Sequence, residues 1–361
     1  MNDLVLSAWS AVTPYGVGGE PFRAGITSGR EAVAVLDRES HPGPFTRGGI
    51  VPDFSAAEYV GRKGTRTMDR ETAIAVTAVG RLIAECGADL TERPDEVGLV
   101  LGTGSGSVQS IMDFTRDSLT GERPYHVDPA RFPSTVMNRA TGQSAIRHGI
   151  KGPNTTVAGG ALTGLLALSY ALRLHRAGHC ARVLCGAAEE YSTQRAWLEW
   201  HGRGEAERDV PLGEGGAVFL VEPAADARAA GRGTLARVLA TRFRAYHAPD
   251  DARQALAACV RGALDAAGVG ADAVRLVAPL GLGGALAVHE ERGVGDALGD
   301  ARPRWLRVSA LLGDTSAAAT SLQIAAVLAA AGEGGLRPGE VALVTGVERD
   351  GTVGCALLGG V

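Results

Sequence analysis

Two long stretches of the chain present the same elements in the same order, and this repeat constrains the fold more than any other feature. In the first, Asp69 and Glu71 open an amphipathic helix with Ala75, Val79, Leu82 and Cys86 on one face and Gly87 as its stop. A strand-like run, Asp95 to Leu101, and a glycine-rich turn, Gly102 to Gly106, follow. In the second, Asp250 and Asp251 open a helix with Leu256, Val260, Ala263, Leu264 and Ala267 facing inward, and Gly268 stops it. The run Asp272 to Val277 and the turn Leu280 to Gly284 complete the copy.

A further pair extends the match. A helix rich in small apolar residues around 160–175 leads to the strand Arg182–Gly186, and its counterpart around 315–331 leads to Val341–Gly346. Strands alternating with helices imply sheets with parallel pairs, covered on both faces. A helix of Ala, Gly, Ser and Thr can lie close between two sheets. The expected fold is therefore α/β, a five-layered α-β-α-β-α sandwich built from two pseudo-repeated halves. The pattern breaks near 222–236, which divides the chain into residues 1–225 and 226–361 of one fused fold.

Composition narrows the function. A net charge of −4 and no basic face disfavour nucleic acid as a partner. Five cysteines without CxxC spacing read as reduced, buried thiols in a cytoplasmic protein, not as disulfides or a zinc site. The apolar stretches 157–172 and 316–331 fall short of a membrane span of ~20 residues, so no membrane partner is expected.

Several local signals have plain readings. Gly102-Thr103-Gly104-Ser105-Gly106 lacks both GK[ST] and the full GxGxxG frame, which leaves a tight strand-to-helix turn rather than a nucleotide loop. His175 and His179 sit four apart at a helix end with no third metal ligand in view. Cys185 lies in an apolar strand, where burial makes a thiol inert. Glu189 and Glu190 adjoin at a strand end, where adjacent side chains diverge. No cofactor and no metal are expected.

Other segments are more specific. Thr141-Gly142-Gln143-Ser144-Ala145-Ile146-Arg147-His148-Gly149-Ile150-Lys151-Gly152-Pro153 precedes Asn154-Thr155-Thr156-Val157-Ala158-Gly159-Gly160-Ala161. Cys185-Gly186-Ala187-Ala188-Glu189 and Gly213-Glu214-Gly215-Gly216-Ala217 come later in the chain, and Ser10-Ala11-Val12-Thr13-Pro14-Tyr15-Gly16 stands earlier. Together they resemble the beta-ketoacyl synthases of thiolase-like fold, from near residue 5 almost to the C-terminus. Decarboxylative condensation needs a thiolate to carry the acyl chain and two imidazoles to support loss of CO₂. The resemblance puts the cysteine at Ala161, the first histidine at Leu280, the second at Asp314 and a nearby lysine at Ser309. No catalytic residue is therefore expected.

This pattern resembles the chain length factor, or ketosynthase-β, of type II polyketide synthases. The family's usual glutamine at the nucleophile position is alanine here. Phe114-Thr115-Arg116-Asp117-Ser118-Leu119 matches the family's tunnel-lining helix, which implies Met112, Thr115, Leu119 and Phe132 along a polyketide tunnel. Spacing alone would instead put Met112 and Leu119 in a core. Asn154, Thr155, Thr156 and Val157 are implied as dimer interface. The chain is also short: 190–211 and 346–351 replace longer or glycine-phenylalanine-rich family segments, which fits a branch serving reduced, polyene-type chains.

The implied role is a silent subunit in a heterodimer with an active ketosynthase. It would meet acyl carrier protein mainly through that partner and shape the space for a growing polyketide or polyene chain. Two alternatives remain at this point. One is an independent acyl-thioester enzyme using Cys185 or a carboxylate; the other is a homodimeric acyl-binding or scaffold protein.

Overall fold

The computed structural model describes residues 3–87, 89–332 and 336–361. Its strands β1 (Leu4–Thr13), β2 (Val97–Gly102), β3 (Asn154–Val157), β4 (Arg182–Glu189) and β5 (Gly215–Pro223) belong to the first half of the chain. Strands β6 (Ala236–Ala245), β7 (Val274–Ala278), β8 (Arg304–Trp305), β9 (Val341–Glu348) and β10 (Thr352–Gly359) belong to the second. The spatial order is β8-β7-β9-β10-β6-β1-β5-β4-β2-β3.

Numbered within its own half, each set of five runs 3-2-4-5-1. The directions repeat too: β2 is parallel to β3 and β4, as β7 is to β8 and β9, while β4–β5–β1 and β9–β10–β6 are antiparallel. The halves join where β1 meets β6 over Val5↔Arg237 and Leu6↔Ala236, so one continuous hydrogen-bonded path links the two expected sheets.

The helices that position the site are α1 (Arg70–Cys86), α2 (Val108–Thr120), α3 (Arg139–His148), α4 (Thr163–Arg176), α5 (Thr193–Gly202), α6 (Ala252–Ala267), α7 (Gly284–Leu298) and α8 (Ala319–Ala331). The expected helix signals act as read. The Asp69 carboxylate accepts the Thr72 N–H at 2.8 Å to cap α1, and Gly268 closes α6 in the left-handed region at φ 64°.

Three apolar cores define the five layers. Ile74, Val79 and Leu82 of α1 pack on Leu99, Leu184 and Leu220 of the first half-sheet. Leu256 and Val260 of α6, with Val294 of α7, pack on Val277, Leu343 and Leu357 of the second. Between the half-sheets lie α4 and α8, through Leu165, Leu168, Leu322 and Ile324. The fold is the thiolase-like α-β-α-β-α sandwich that the repeat implied.

Small residues let α4 and α8 touch. A Cβ at Gly164 would collide with the backbone of Ser321 and come within 2.8 Å of the Thr320 hydroxyl oxygen. That hydroxyl accepts the Leu165 N–H at 3.1 Å and donates to the Ala161 carbonyl at 3.0 Å. Two buried backbone groups at the start of α4 are thereby satisfied by one side chain of α8.

All five cysteines are buried. Among the described residues, no helix is long and apolar enough to cross a membrane.

Candidate functional site

Ala161 lies in a 3-10 turn, Gly160–Leu162, that leads directly into α4. Its side chain is buried with Leu280, Ala319 and the partly buried Leu282 in one small apolar cluster. Two positions read separately from the sequence, 161 and 280, thus meet in space. Ser309 joins them indirectly: its hydroxyl donates to the Gly281 carbonyl at 3.1 Å.

The loop carrying Leu280 is held from below. The Leu280 and Gly281 N–H groups donate to the Glu290 carboxylate at 2.9 and 2.8 Å, and the Thr345 hydroxyl donates to it at 2.8 Å. Burial pushes the Glu290 carboxyl up from its ordinary value, opposed by those three bonds.

Asp314 precedes the turn Ser316–Ala318 that leads into α8, the repeat-related counterpart of the turn before α4. The backbone repeats even in its unusual conformation: φ is 54° at Gly160 and 44° at Ser316. Asp314 is committed to structure. One carboxylate oxygen accepts the Ser316 N–H at 2.8 Å, and the other pairs with the Arg203 guanidinium at 2.5 Å.

The sequence reading missed Glu348, at the end of β9. Its carboxylate accepts the Ala161 N–H through one oxygen and the Arg349 N–H, at 2.9 Å, through the other. Burial pushes its carboxyl up, and the Asp350 and Asp314 charges add to that. Its only signal in the sequence was the departure of 346–351 from the family loop.

The rival nucleophile is closed off. Cys185 is fully buried in β4, and burial pushes its thiol up to about 12, so the thiolate is absent at neutral pH. His175 directs Nδ1 to the Ala181 carbonyl at 2.9 Å, a structural bond at the end of α4.

Glu189 and Glu190 do not diverge into solvent; both are buried, and Glu71 of α1 is buried beside them. Glu190 accepts the Gln109 N–H at 3.1 Å and the Ser107 hydroxyl at 3.1–3.2 Å. Burial raises its pKa to about 7, and Asp69 and Glu189 add to the effect. Glu190, with Arg70, Ser107, Gln109, Tyr191 and Glu214, lines a cleft of about 720 Å³. None of Ala161, Leu280 and Asp314 bounds that cleft.

The helix assigned to the tunnel has no buried residue. Met112, Thr115 and Leu119 are all exposed on α2, with Leu119 80% exposed, which overturns the core reading of Met112 and Leu119 within this chain. Phe132 is also exposed, and its ring lies edge-on to Phe114 at 6.2 Å between centroids. Asn154 to Val157 form β3, the strand at the outer end of the sheet path, paired on one side to β2. The Asn154 amide donates to the Thr141 carbonyl at 3.3 Å, and the Thr141 and Thr156 hydroxyls meet at 2.7 Å.

Five layers, with Ala161 in the turn that opens one buried helix and Asp314 just before the turn that opens the other, give the scaffold of a condensing enzyme. Residues 1–227 match the model of the beta-ketoacyl synthase N-terminal domain, and the chain belongs to that family. It superposes on the ishigamide ketosynthase/chain length factor with a TM-score of 0.88, at 40% identity over 99% of both chains. This bears out the resemblance to chain length factors. A beta-ketoacyl synthase from Burkholderia phymatum STM815, at TM-score 0.85, 19% identity and full coverage of both chains, shares the fold. The 3-oxoacyl-[acyl-carrier-protein] synthase 2 of Synechocystis sp. is 30% identical over 188 residues, 52% of this chain and 45% of that protein. The match thus spans about half of that relative's length.

Proposed function

We propose that the chain is a catalytically silent ketosynthase-like subunit of a type II polyketide synthase, which pairs with an active ketosynthase and shapes the tunnel that limits chain length. The observation that carries this reading is the content of the reacting positions. Ala161 and Leu280 offer no nucleophile or base, and Asp314 is spent on a buried ion pair. The scaffold is intact around them, as its full-length likeness to the ishigamide ketosynthase/chain length factor supports. A protein that keeps the fold and lacks the chemistry fits a role in shape and assembly.

The exposed apolar face of α2 and the free edge of β3 support a partner surface, with Met112, Thr115, Leu119 and Phe132 toward the chain's tunnel and Asn154 to Val157 toward the partner subunit. On this reading the halves 1–225 and 226–361 act as one fused fold in the cytoplasm. Acyl carrier protein is met mainly through the ketosynthase.

The test is single-turnover condensation with acyl and malonyl carrier proteins, using the chain alone, the ketosynthase alone and the two co-purified. Product from the complex and none from the isolated chain is expected. Product from the isolated chain refutes the reading.

A further inference from the structure

Acyl transfer to residue 161 would require a thioester carbonyl to approach the N-terminus of α4. As the carbonyl is attacked, negative charge develops on its oxygen, and a backbone N–H aimed at that oxygen is the usual stabiliser. In this chain the N–H of residue 161 itself already donates to the Glu348 carboxylate. The carboxylate also covers the preceding residue, since any side chain at Gly160, held at φ 54°, would collide with it.

We propose that Glu348 is the specificity-determining residue that closes this subunit to acyl groups, so that restoring a thiol at position 161 leaves that thiol unreactive until Glu348 is also replaced. The proposal rests on the reading of Ala161 as the vacated nucleophile position and goes beyond it: absence of a thiol and exclusion of the acyl group are separate devices.

Three observations support a fixed plug rather than a passing contact. The second carboxylate oxygen is held by the Arg349 N–H at 2.9 Å. The Arg349 guanidinium in turn bonds Glu207 at 3.0 Å, which ties the 348–351 turn to a segment far away in sequence. The Tyr246 hydroxyl donates to the Glu348 carbonyl, so the backbone under the carboxylate is anchored as well. On the other side Leu280 and Leu282 close the space above Ala161 with hydrocarbon. An acyl carbonyl at residue 161 would have to displace an anchored anion from the N–H it needs. A carboxylate beside a new thiol would also hold that thiol in its protonated, unreactive form.

The experiment uses the full chain, co-purified with its ketosynthase where the complex forms, as A161C, A161C/E348A and A161C/E348Q. Iodoacetamide is the probe: a thiolate displaces iodide, the C–I bond breaks and an S–C bond forms. Labelling at position 161 is followed by peptide mass spectrometry, which separates it from the buried native thiols. The expected result is labelling at least tenfold faster in A161C/E348A than in A161C. E348Q keeps the shape and removes the charge; slow labelling there assigns the block to shape and fast labelling to charge, and either upholds the proposal. Equal rates in A161C and both double variants overturn it. Thermal melts confirm folding, and E348Q preserves the test if E348A does not fold. Equal rates would leave the silent-subunit reading intact, because that reading falls only if the unaltered chain condenses.

Discussion

Arg203 and Asp314 meet at 2.5 Å with their side chains only 1% and 3% exposed. The pair explains why position 314 cannot be read as a spare catalytic group. Arg203 also bonds Glu199 at 3.0 Å and the Val210 carbonyl at 2.7 Å, so it clamps α5 and the following loop onto the turn before α8. Removing one member of a buried pair costs about 3–5 kcal/mol where the other is left unpaired, and the Glu199 bond keeps Arg203 toward the lower end of that range. Asp314→His should therefore lower stability by roughly that amount. It should restore no condensation, since the new imidazole would face a guanidinium. Urea unfolding measures the first; an unchanged midpoint would mean that the pair contributes nothing.

Glu190 makes stability depend on pH in a direction that follows from its burial. Its carboxyl titrates near 7 in the fold, against an ordinary value of 4.5. The native state therefore holds a proton that the unfolded chain has released, and stability is lost as pH rises from about 4.5 through about 7. That gap corresponds to roughly 3 kcal/mol. Glu71 and Glu189 are raised by burial as well and act in the same direction. Glu190→Gln should flatten the decline in the urea midpoint between pH 5 and pH 8, leaving a residual slope from its neighbours. A slope identical to that of the unaltered chain would contradict this.

The architecture was legible because it rests on periodicity and punctuation. Asp69, Gly87, Asp251 and Gly268 mark helix ends by local chemistry, and the repeat of helix, strand and turn reproduces the strand order of both halves. That Ala161 and Leu280 belong to one site came from the resemblance to beta-ketoacyl synthases rather than from periodicity, and the two side chains do share one cluster. What stayed hidden is what depends on distant side chains. Glu348 reaches a backbone N–H 187 positions away, and Glu71 is gathered to Glu189 and Glu190 across more than a hundred residues. Spacing along α2 put Met112 and Leu119 in a core, as though the same chain covers that face. It does not.

That uncovered face bears on association. Tyr125, Phe132 and Ile146 are exposed along with Leu119, and large apolar side chains left in water are what an interface covers. Obligate interfaces bury roughly 2,000 Å² or more, largely apolar. Expressed alone, the chain should self-associate or precipitate; co-expressed with its ketosynthase, it should sediment as a one-to-one complex. A monodisperse monomer at micromolar concentration would contradict the pairing.

The tunnel assignment has the most specific outcome. Met112, Thr115 and Leu119 stand at i, i+3 and i+7 on one face of α2. Thr115 is the small residue among them, so a chain running along this face would pass beside it. Because Thr115 is exposed, a larger side chain there does not overpack this subunit's own core, and Thr115→Trp should leave its melting temperature nearly unchanged. In the complex, the indole would occupy the space an extended chain needs, and forcing bulk into a filled site costs about 1–3 kcal/mol. Each further extension would meet that cost or more, so products should shorten by whole two-carbon units while heterodimer yield holds. If α2 only supported the fold, or faced solvent in the complex, the substitution would reduce all products alike or change nothing. The measurement is the product-length distribution from the reconstituted complex, with complex yield determined in parallel. An unchanged distribution from a properly assembled Thr115→Trp complex would remove α2 from the tunnel while leaving the silent-subunit reading to be judged on Ala161, Leu280 and Asp314.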